Sequence, residues 1–303
     1  MKKRLLFSLM VCSLYASEQT NYIELGFGQL KEKDNFSVES DKSISSLGKA
    51  DSETIYFPYV GFNFNYNLNE TSSIYVNSQL GDFSLGSNIK TPHGSFDFGF
   101  TTNFYDEAWE NPYLTNEKRE KTKVKKNGTY FSYGKRFFPS HEFSITHKYK
   151  EVDYDKDTLT KKLKRDAKEH TISVDNNFSS NIKNLPITYL TNVAYKIYDA
   201  DGKASSYKKA SFAIGANLQI SKRFDLTLLN SFARKDYEEH NSFVDEKVSS
   251  DIYGFISTFK WNEPFNYKNT YLSFQNGYIK EEANANFFDK EKKFALVSIG
   301  YKF

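Results

Sequence analysis

From residue 96 the chain reads Phe-Asp-Phe-Gly-Phe-Thr-Thr-Asn-Phe, which sets Phe96, Phe98, Phe100, Thr102 and Phe104 on one side of an extended segment and Asp97, Gly99, Thr101 and Asn103 on the other. A period of two is the mark of a β-strand with one apolar face. The same alternation runs through Ile23, Leu25 and Phe27; through Tyr56, Val60, Phe62, Phe64 and Tyr66; through Ala210, Phe212, Ile214, Ala216, Leu218 and Ile220; and through Tyr253, Phe255, Phe259 and Trp261. The intervening faces hold residues such as Glu24, Gly26, Gly28, Asn63, Asn65, Asn217 and Gln219, which suit a wet interior better than a packed core. A soluble sandwich also alternates, but it rarely needs three to five large apolar residues on one side of nearly every strand. The pattern predicts an all-β chain: a transmembrane, antiparallel up-and-down β-barrel with its apolar face in lipid.

Breaks in the alternation set the strand count. Pro92, Pro139, Pro186 and Pro264 each fall in a short polar interruption, where a missing N–H costs no ladder bond. Residues 67–72 and 221–223 form two more breaks without proline. Taken as inner turns centred near 69, 92, 139, 184, 222 and 265, these six predict fourteen strands if Gly81-Asp82 is a tight outer turn, and twelve if it is not. The other connections, 31–52, 107–127, 153–168, 199–206, 236–249 and 281–290, are rich in Lys, Glu, Asp, Ser and Asn, as outward loops should be.

Composition fits a barrel and little else. A mean hydropathy of −0.65 describes a soluble or disordered chain, yet 28 Phe and 22 Tyr are far more than disorder tolerates. Lys2, Lys3 and Arg4, the apolar stretch from Leu5 to Leu14 and the small residue Ala16 have the order of a cleaved signal peptide, leaving 17–303 as a single barrel domain. The stretch is too short for a transmembrane helix. Cys12 lies within it, but Val11 precedes it where a lipoprotein signal wants a small residue; cleavage at Ala16 leaves no cysteine for a disulfide. Removing Lys2, Lys3 and Arg4 reduces 41 basic residues to 38, equal to the 38 acidic ones, so no case for nucleic acid follows. The basic runs at 117–126 and 161–165 read as solvated rim, with attraction to lipopolysaccharide phosphates the alternative.

Ala295, Val297, Ile299, Tyr301 and Phe303 alternate to the last residue, which is aromatic. In this the tail resembles the C-terminal strand of Gram-negative outer-membrane β-barrels, and the resemblance implies that Val297, Ile299, Tyr301 and Phe303 form the signal read by the barrel-assembly machinery. Length and inferred strand number are similar to those of monomeric fourteen-stranded porins. That likeness implies a porin-like monomer in the outer membrane, passing small hydrophilic solutes without a cofactor.

Assigning faces by alternation sets Arg136, Lys148, Lys150, Lys196, Lys235 and Lys260 inward, with Glu24, Asp97, Asp175 and Asp225. Charges within a pore tune selectivity, and this set leans slightly towards anions; equally, opposite charges across a lumen can simply pair and rigidify the wall. His147, Asn230 and Asn276 fall on the lipid side, which calls for an interfacial position or a bulge.

Two other function classes stay open. His93-Gly94-Ser95 is similar to the His-x-Ser pair of outer-membrane phospholipase, but Phe96-Asp97 follows where that family has Asn-Gly, and the pair lies at an inner turn. His240 has acids near it in an outer loop, as an omptin-type protease would need, although every such loop carries acids. The chain has no Cys/His metal cluster, no phosphate-cradling Gly-rich loop and no helix-borne His pair. A filled barrel displaying adhesive loops is the third class.

Overall fold

The computed structural model describes residues 21–79, 82–103 and 106–303. The expected signal peptide, Gly81 and Phe104 lie outside them. The alternating segments form β1 (Tyr22–Lys33), β2 (Glu53–Asn67), β3 (Ser72–Gln79), β4 (Asp82–Thr91), β5 (Gly94–Asn103), β6 (Asp106–Trp109), β7 (Lys121–Phe138) and β8 (His141–Tyr154). They continue as β9 (Ala167–Ile182), β10 (Leu185–Ala200), β11 (Tyr207–Gln219), β12 (Phe224–Tyr237), β13 (Ser249–Asn262), β14 (Thr270–Ala283) and β15 (Lys290–Lys302). Apart from β5 and β6, sequence neighbours pair antiparallel; β1 pairs with β15, and both β5 and β6 pair with β7, so β5 and β6 are two parts of one stave. The result is a closed barrel of fourteen staves.

All six expected inner turns are present, and each follows from local chemistry. Between β9 and β10, Lys183 and Asn184 both take left-handed φ (51° and 67°), as a two-residue hairpin turn of the right twist requires. The β2–β3 turn is tied by Asn69 Oδ1, which accepts from the backbone N–H groups of Thr71 (2.9 Å) and Ser72 (2.8 Å). On the outer side, Gln79 pairs with Asp82, so β3 and β4 form the short hairpin that fourteen staves demand.

The apolar rows point outwards: Phe100 is 68% exposed, and Leu25, Ile214 and Val297 are similarly open. Tyr56, Tyr149, Tyr195, Tyr253 and Tyr278 mark one end of this band, and Tyr66, Tyr133, Trp261, Tyr267 and Tyr301 the other. These are the aromatic girdles of a membrane-spanning barrel. From Tyr253 to Trp261 a tilted strand climbs about 20 Å, close to the height of an outer-membrane apolar band. His147, Asn230 and Asn276 do face outwards, and the β-bulge at Arg136–Phe138, on the strand beside that of His147, lies towards the inner turn and does not shift His147. His147 sits beside the outer girdle, its Nε2 3.3 Å from His170 Nδ1.

Two expectations need correction. The loop placed at 107–127 is shorter, because β6 and the start of β7 extend the wall above the membrane. There Lys121, Lys123 and Lys125 face out while Thr122, Val124 and Lys126 face in. Water bathes the outer face at that height, so neither face needs apolar residues and the period of two disappears from hydropathy. Nor is the inner face uniformly polar. An unbroken register runs Leu190–Gly215–Leu229–Ile256–Gly277–Phe294–Leu30–Ile55 across β10 to β15, β1 and β2, all apolar and all facing in. It starts near the inner turn of β10 and ends near the outer loop before β2, a climb of about 20 Å for tilted strands 4.8 Å apart. Phe294 lies along the wall over Gly277, where a Cβ would collide with its ring.

Candidate functional site

The site is the barrel interior together with what closes it. Six long outer loops follow from the strand ends: L1 (34–52), L2 (110–120), L3 (155–166), L4 (201–206), L5 (238–248) and L6 (284–289). They do not splay into solvent. Tyr113 of L2, Leu159 and Leu163 of L3, Ala204 of L4, Val248 of L5 and Phe287 of L6 share one buried apolar cluster, with Phe36 and Ile44 of L1 packed against it. Tyr113 stacks on Phe243 of L5 with ring centres 4.6 Å apart, and Asn241 Nδ2 donates to its hydroxyl (2.9 Å). L2 and L5 rise from nearly opposite sides of a ring of fourteen staves, so this stack crosses the mouth. The loops form a dome.

Arg119 of L2 is its main fastening. Only 1% exposed, it donates to the carbonyls of Asn35 (2.9 Å), Pro112 (3.2 Å) and Asp41 and to Ser40 Oγ (3.2 Å), and it lies 4.5 Å over the Trp109 ring. Trp109 Nε1 donates to the carbonyl of Ser37 (2.9 Å), and Ile44 bridges to Thr115. L1 is thereby held across a low place in the wall. β3 pairs only with Phe62–Asn67 of β2, which leaves the outer half of β2 without that neighbour. Pro58, which has no N–H to offer, lies in that half. At the other edge of L1, Asp34 accepts from the Phe36 N–H (3.0 Å) and pairs with Lys290 (3.4 Å) and Lys292 (3.3 Å). Burial works to raise the Asp34 pKa, but the two lysines outweigh it and hold the carboxyl below its ordinary value.

Beneath the dome the inner wall carries a belt of ion pairs. Lys126 meets Asp106, Lys150 meets Asp82 (3.1 Å), Lys196 meets Glu169 (2.7 Å), Lys235 meets Glu281, and Lys292 meets Glu32 (3.3 Å). Lys196, Lys209 and Lys235 stand side by side on β10, β11 and β12, and the next row outwards is Tyr198, Tyr207 and Tyr237. Tyr198 and Tyr207 stack at 4.9 Å, Tyr207 and Tyr237 meet at 5.4 Å, and Tyr237 touches Phe288 of the dome (5.5 Å). Nearer the inner end, Tyr75 donates to Asp97 (2.6 Å), Asn192 to Asp175 (2.7 Å), Asn262 to Asp225 (2.7 Å) and Tyr271 to Glu24 (2.9 Å). Lys260 lies 4.2 Å over the Tyr271 ring.

All ten residues expected inside lie on the strand face opposite the exposed apolar rows, but not as one ring. Lys150, Lys196 and Lys235 belong to the outer belt, Arg136 is near the inner rim paired with Glu142, and Lys148, Asp97 and Asp175 are on the wall between. Sequence reasoning missed Lys209, Glu169, Glu281 and the tyrosine row. Tyr207, Lys209 and Ser211 share a parity and could have been found by extending β11 backwards, but Lys208 beside Lys209 hides which lysine faces in. Of the enzymatic candidates, Ser95 Oγ donates to the Gly134 carbonyl (3.4 Å). His240 does meet Asp245 (3.2 Å), although both are open to solvent. No group of three or more metal-ligating side chains occurs among the described residues.

The geometry defines an outer-membrane-type β-barrel, porin-like in architecture, with a polar and partly ionic interior. The chain belongs to DUF2860, a family described as of unknown function, whose profile matches residues 20–302. No curated protein matches it by sequence. Among solved structures, a FadL homologue of Pseudomonas aeruginosa has a TM-score of 0.51 at 7% identity, over 96% of this chain and 94% of that one. An outer membrane protein of Vibrio cholerae, OmpT, has a TM-score of 0.48 at 9% identity, over 95% and 99%. A BenF-like porin from Pseudomonas fluorescens has 0.38 at 8%, over 94% and 99%. At such identities it is the fold that is shared.

Proposed function

We propose that this protein is an outer-membrane channel for small hydrophilic solutes, found here with its outer mouth closed by the dome. The observation that carries the reading is the contrast between a sealed mouth and a wall lined below it by charged and polar side chains. A barrel filled only for rigidity has no need of so many ionisable groups facing inwards. Arg136, Lys148, Lys150, Lys196, Lys235 and Lys260, with Glu24, Asp97, Asp175 and Asp225, are the proposed lining. Pairing with Glu142, Asp82, Glu169 and Glu281 offsets four of the cations, which leaves Lys148 and Lys260 beside the four acids and cancels the lean towards anions that the ten residues suggest by themselves. The protein works as a monomer, set among lipopolysaccharide through its lysine-rich outer rim and assembled through Val297, Ile299, Tyr301 and Phe303.

Planar-bilayer recording of the refolded protein tests this. The wild type gives rare, small openings with no anion preference, and Arg119→Ala, which unfastens L1 from L2, gives frequent large ones. Electrical silence from both proteins overturns the channel reading in favour of a closed barrel that presents its loops to a partner.

A further inference from the structure

Unlike His147, the outward-facing Asn230 and Asn276 lie well inside the apolar band, and a third polar side chain, Ser257, joins them. Ser257 stands directly opposite Asn276 on the neighbouring strand, while Asn230, opposite Phe255, is diagonal to it. Ser257 is midway between Tyr253 and Trp261 of the two girdles, so it sits about 10 Å from either edge of the band. Asparagine and serine are too short to reach water from there. Asn230 is exposed, Ser257 and Asn276 are partly so, and none of the three side chains has a hydrogen-bond partner among the described residues. Other polar side chains on the lipid side are answered within the wall. Thr191 Oγ1 donates to the Asn176 carbonyl (3.4 Å), Ser87 Oγ donates to that of Ser73 (3.0 Å), and His147 meets His170 (3.3 Å). An amide without a partner is costly in hydrocarbon, and this patch holds two beside a hydroxyl.

The layout of the patch is complementary to itself. Two copies in one membrane share an orientation, so a two-fold axis between them runs along the membrane normal and preserves height. Asn276 is one strand further along the climbing register than Ser257 and stands about 3 Å above it. Asn230 is one strand back but two residues nearer the outer end, which sets it about 2 Å above Ser257. The two asparagines are thus at nearly one height, on either side of Ser257, and rotation about a vertical axis there carries each onto the position of the other. Asparagine both donates and accepts, so each facing pair can exchange two hydrogen bonds. The register line through the patch, Ala216–Leu228–Ser257–Asn276–Ala295, ends in a small residue on each side, which lets two walls approach. A segment of some other protein would need no such symmetry.

We propose that the outer face of β12, β13 and β14 is the contact between two copies of this chain, with Asn230 of each against Asn276 of the other. The pore of the channel reading stays within one chain, which is the working unit with or without a neighbour, and the contact does not depend on that reading.

Cysteine cross-linking of the protein refolded into lipid vesicles tests this, with Cys12→Ser as background so that the introduced thiol is alone. Ser257→Cys, close to the axis, forms a disulfide-linked pair on mild oxidation. Phe100→Cys, on β5 at the opposite side of the ring of staves, does not. Copies labelled at Ser221→Cys, in an inner turn, with donor or acceptor dyes show energy transfer that falls as lipid is added. Asn230→Leu moves the half-point to about tenfold higher protein density, and Asn276→Leu does the same. Both variants put an apolar side chain into hydrocarbon and so refold as the wild type does. Because either substitution breaks both facing pairs, the two together weaken association no further than one alone. Cross-linking of Ser257→Cys no faster than that of Phe100→Cys overturns the proposal, as does energy transfer indifferent to both leucine substitutions. Neither result bears on the channel reading, which current alone tests.

Discussion

In the membrane band Phe98, Ile214 and Phe255 point away from the lumen into hydrocarbon, whereas in the dome Tyr113, Leu163 and Phe287 point inwards at one another. Both arrangements remove apolar surface from water, and the inversion between them occurs at the outer tyrosine girdle, where the solvent outside the wall changes from lipid to water. The lesson is that hydropathy along this chain reports the local solvent. Alternation is strong where one face meets lipid, vanishes in the lysine-rich strand ends where the outer face meets water, and gives way in the dome to isolated residues gathered from six loops.

Substitutions that behave oppositely in the two regions test the comparison. The largest effect is expected from Phe287→Ala in the dome, where an aromatic side chain only 1% exposed is removed, at a cost of about 3–5 kcal/mol. The loss is local: limited proteolysis of the folded barrel should first cut within residues 34–52, while the gel mobility typical of an intact barrel persists. Retention of wild-type resistance would mean that the dome is not held by its core. Next is Phe98→Arg in the band, expected to cost about 2–4 kcal/mol as a charge in hydrocarbon. Here refolding into vesicles suffers and the dome is spared. Asn184→Ala follows, at about 1–2 kcal/mol, because alanine has no ready access to the left-handed turn that joins β9 to β10; urea refolding midpoints would register it.

The smallest effect is one of pH. Because the folded Asp34 carboxyl has a lowered pKa, its ion pairs add stability that is complete above the ordinary aspartate value of about 3.9 and is lost as pH falls below it towards the depressed value. Proteolysis of L1 should therefore quicken as the pH falls below about 4 in the wild type. In Asp34→Asn it should be quick already at neutral pH and change little over that interval.

Much of the architecture could be read directly from residues. The six inner turns, the fourteen staves and the outward Phe96–Phe98–Phe100 row all follow from proline positions and a period of two. Less could be read of the interior. Arg136 and Lys196 could be assigned a face, but not their partners Glu142 and Glu169, because pairing depends on the stagger between strands, which alternation alone does not fix. The dome was beyond reach for a different reason. Asn35 donates to the carbonyl of Phe287 across 252 residues, and its core draws one or two residues from each loop, so no window of sequence carries a period. Its apolar members, such as Leu163 between Lys162 and Lys164, look like chance residues in a charged run.

The β3–β4 hairpin, only 8 and 10 residues tall beside the 18 of β7, makes one flank of the cylinder lower than the rest. Acyl chains of the outer leaflet meeting that flank must shorten or bend downwards to follow its apolar edge, at a cost that grows with each ångström of mismatch. The bilayer around this molecule is therefore unevenly thick, thinnest beside β3 and β4, and that sector is where lipid is most readily displaced.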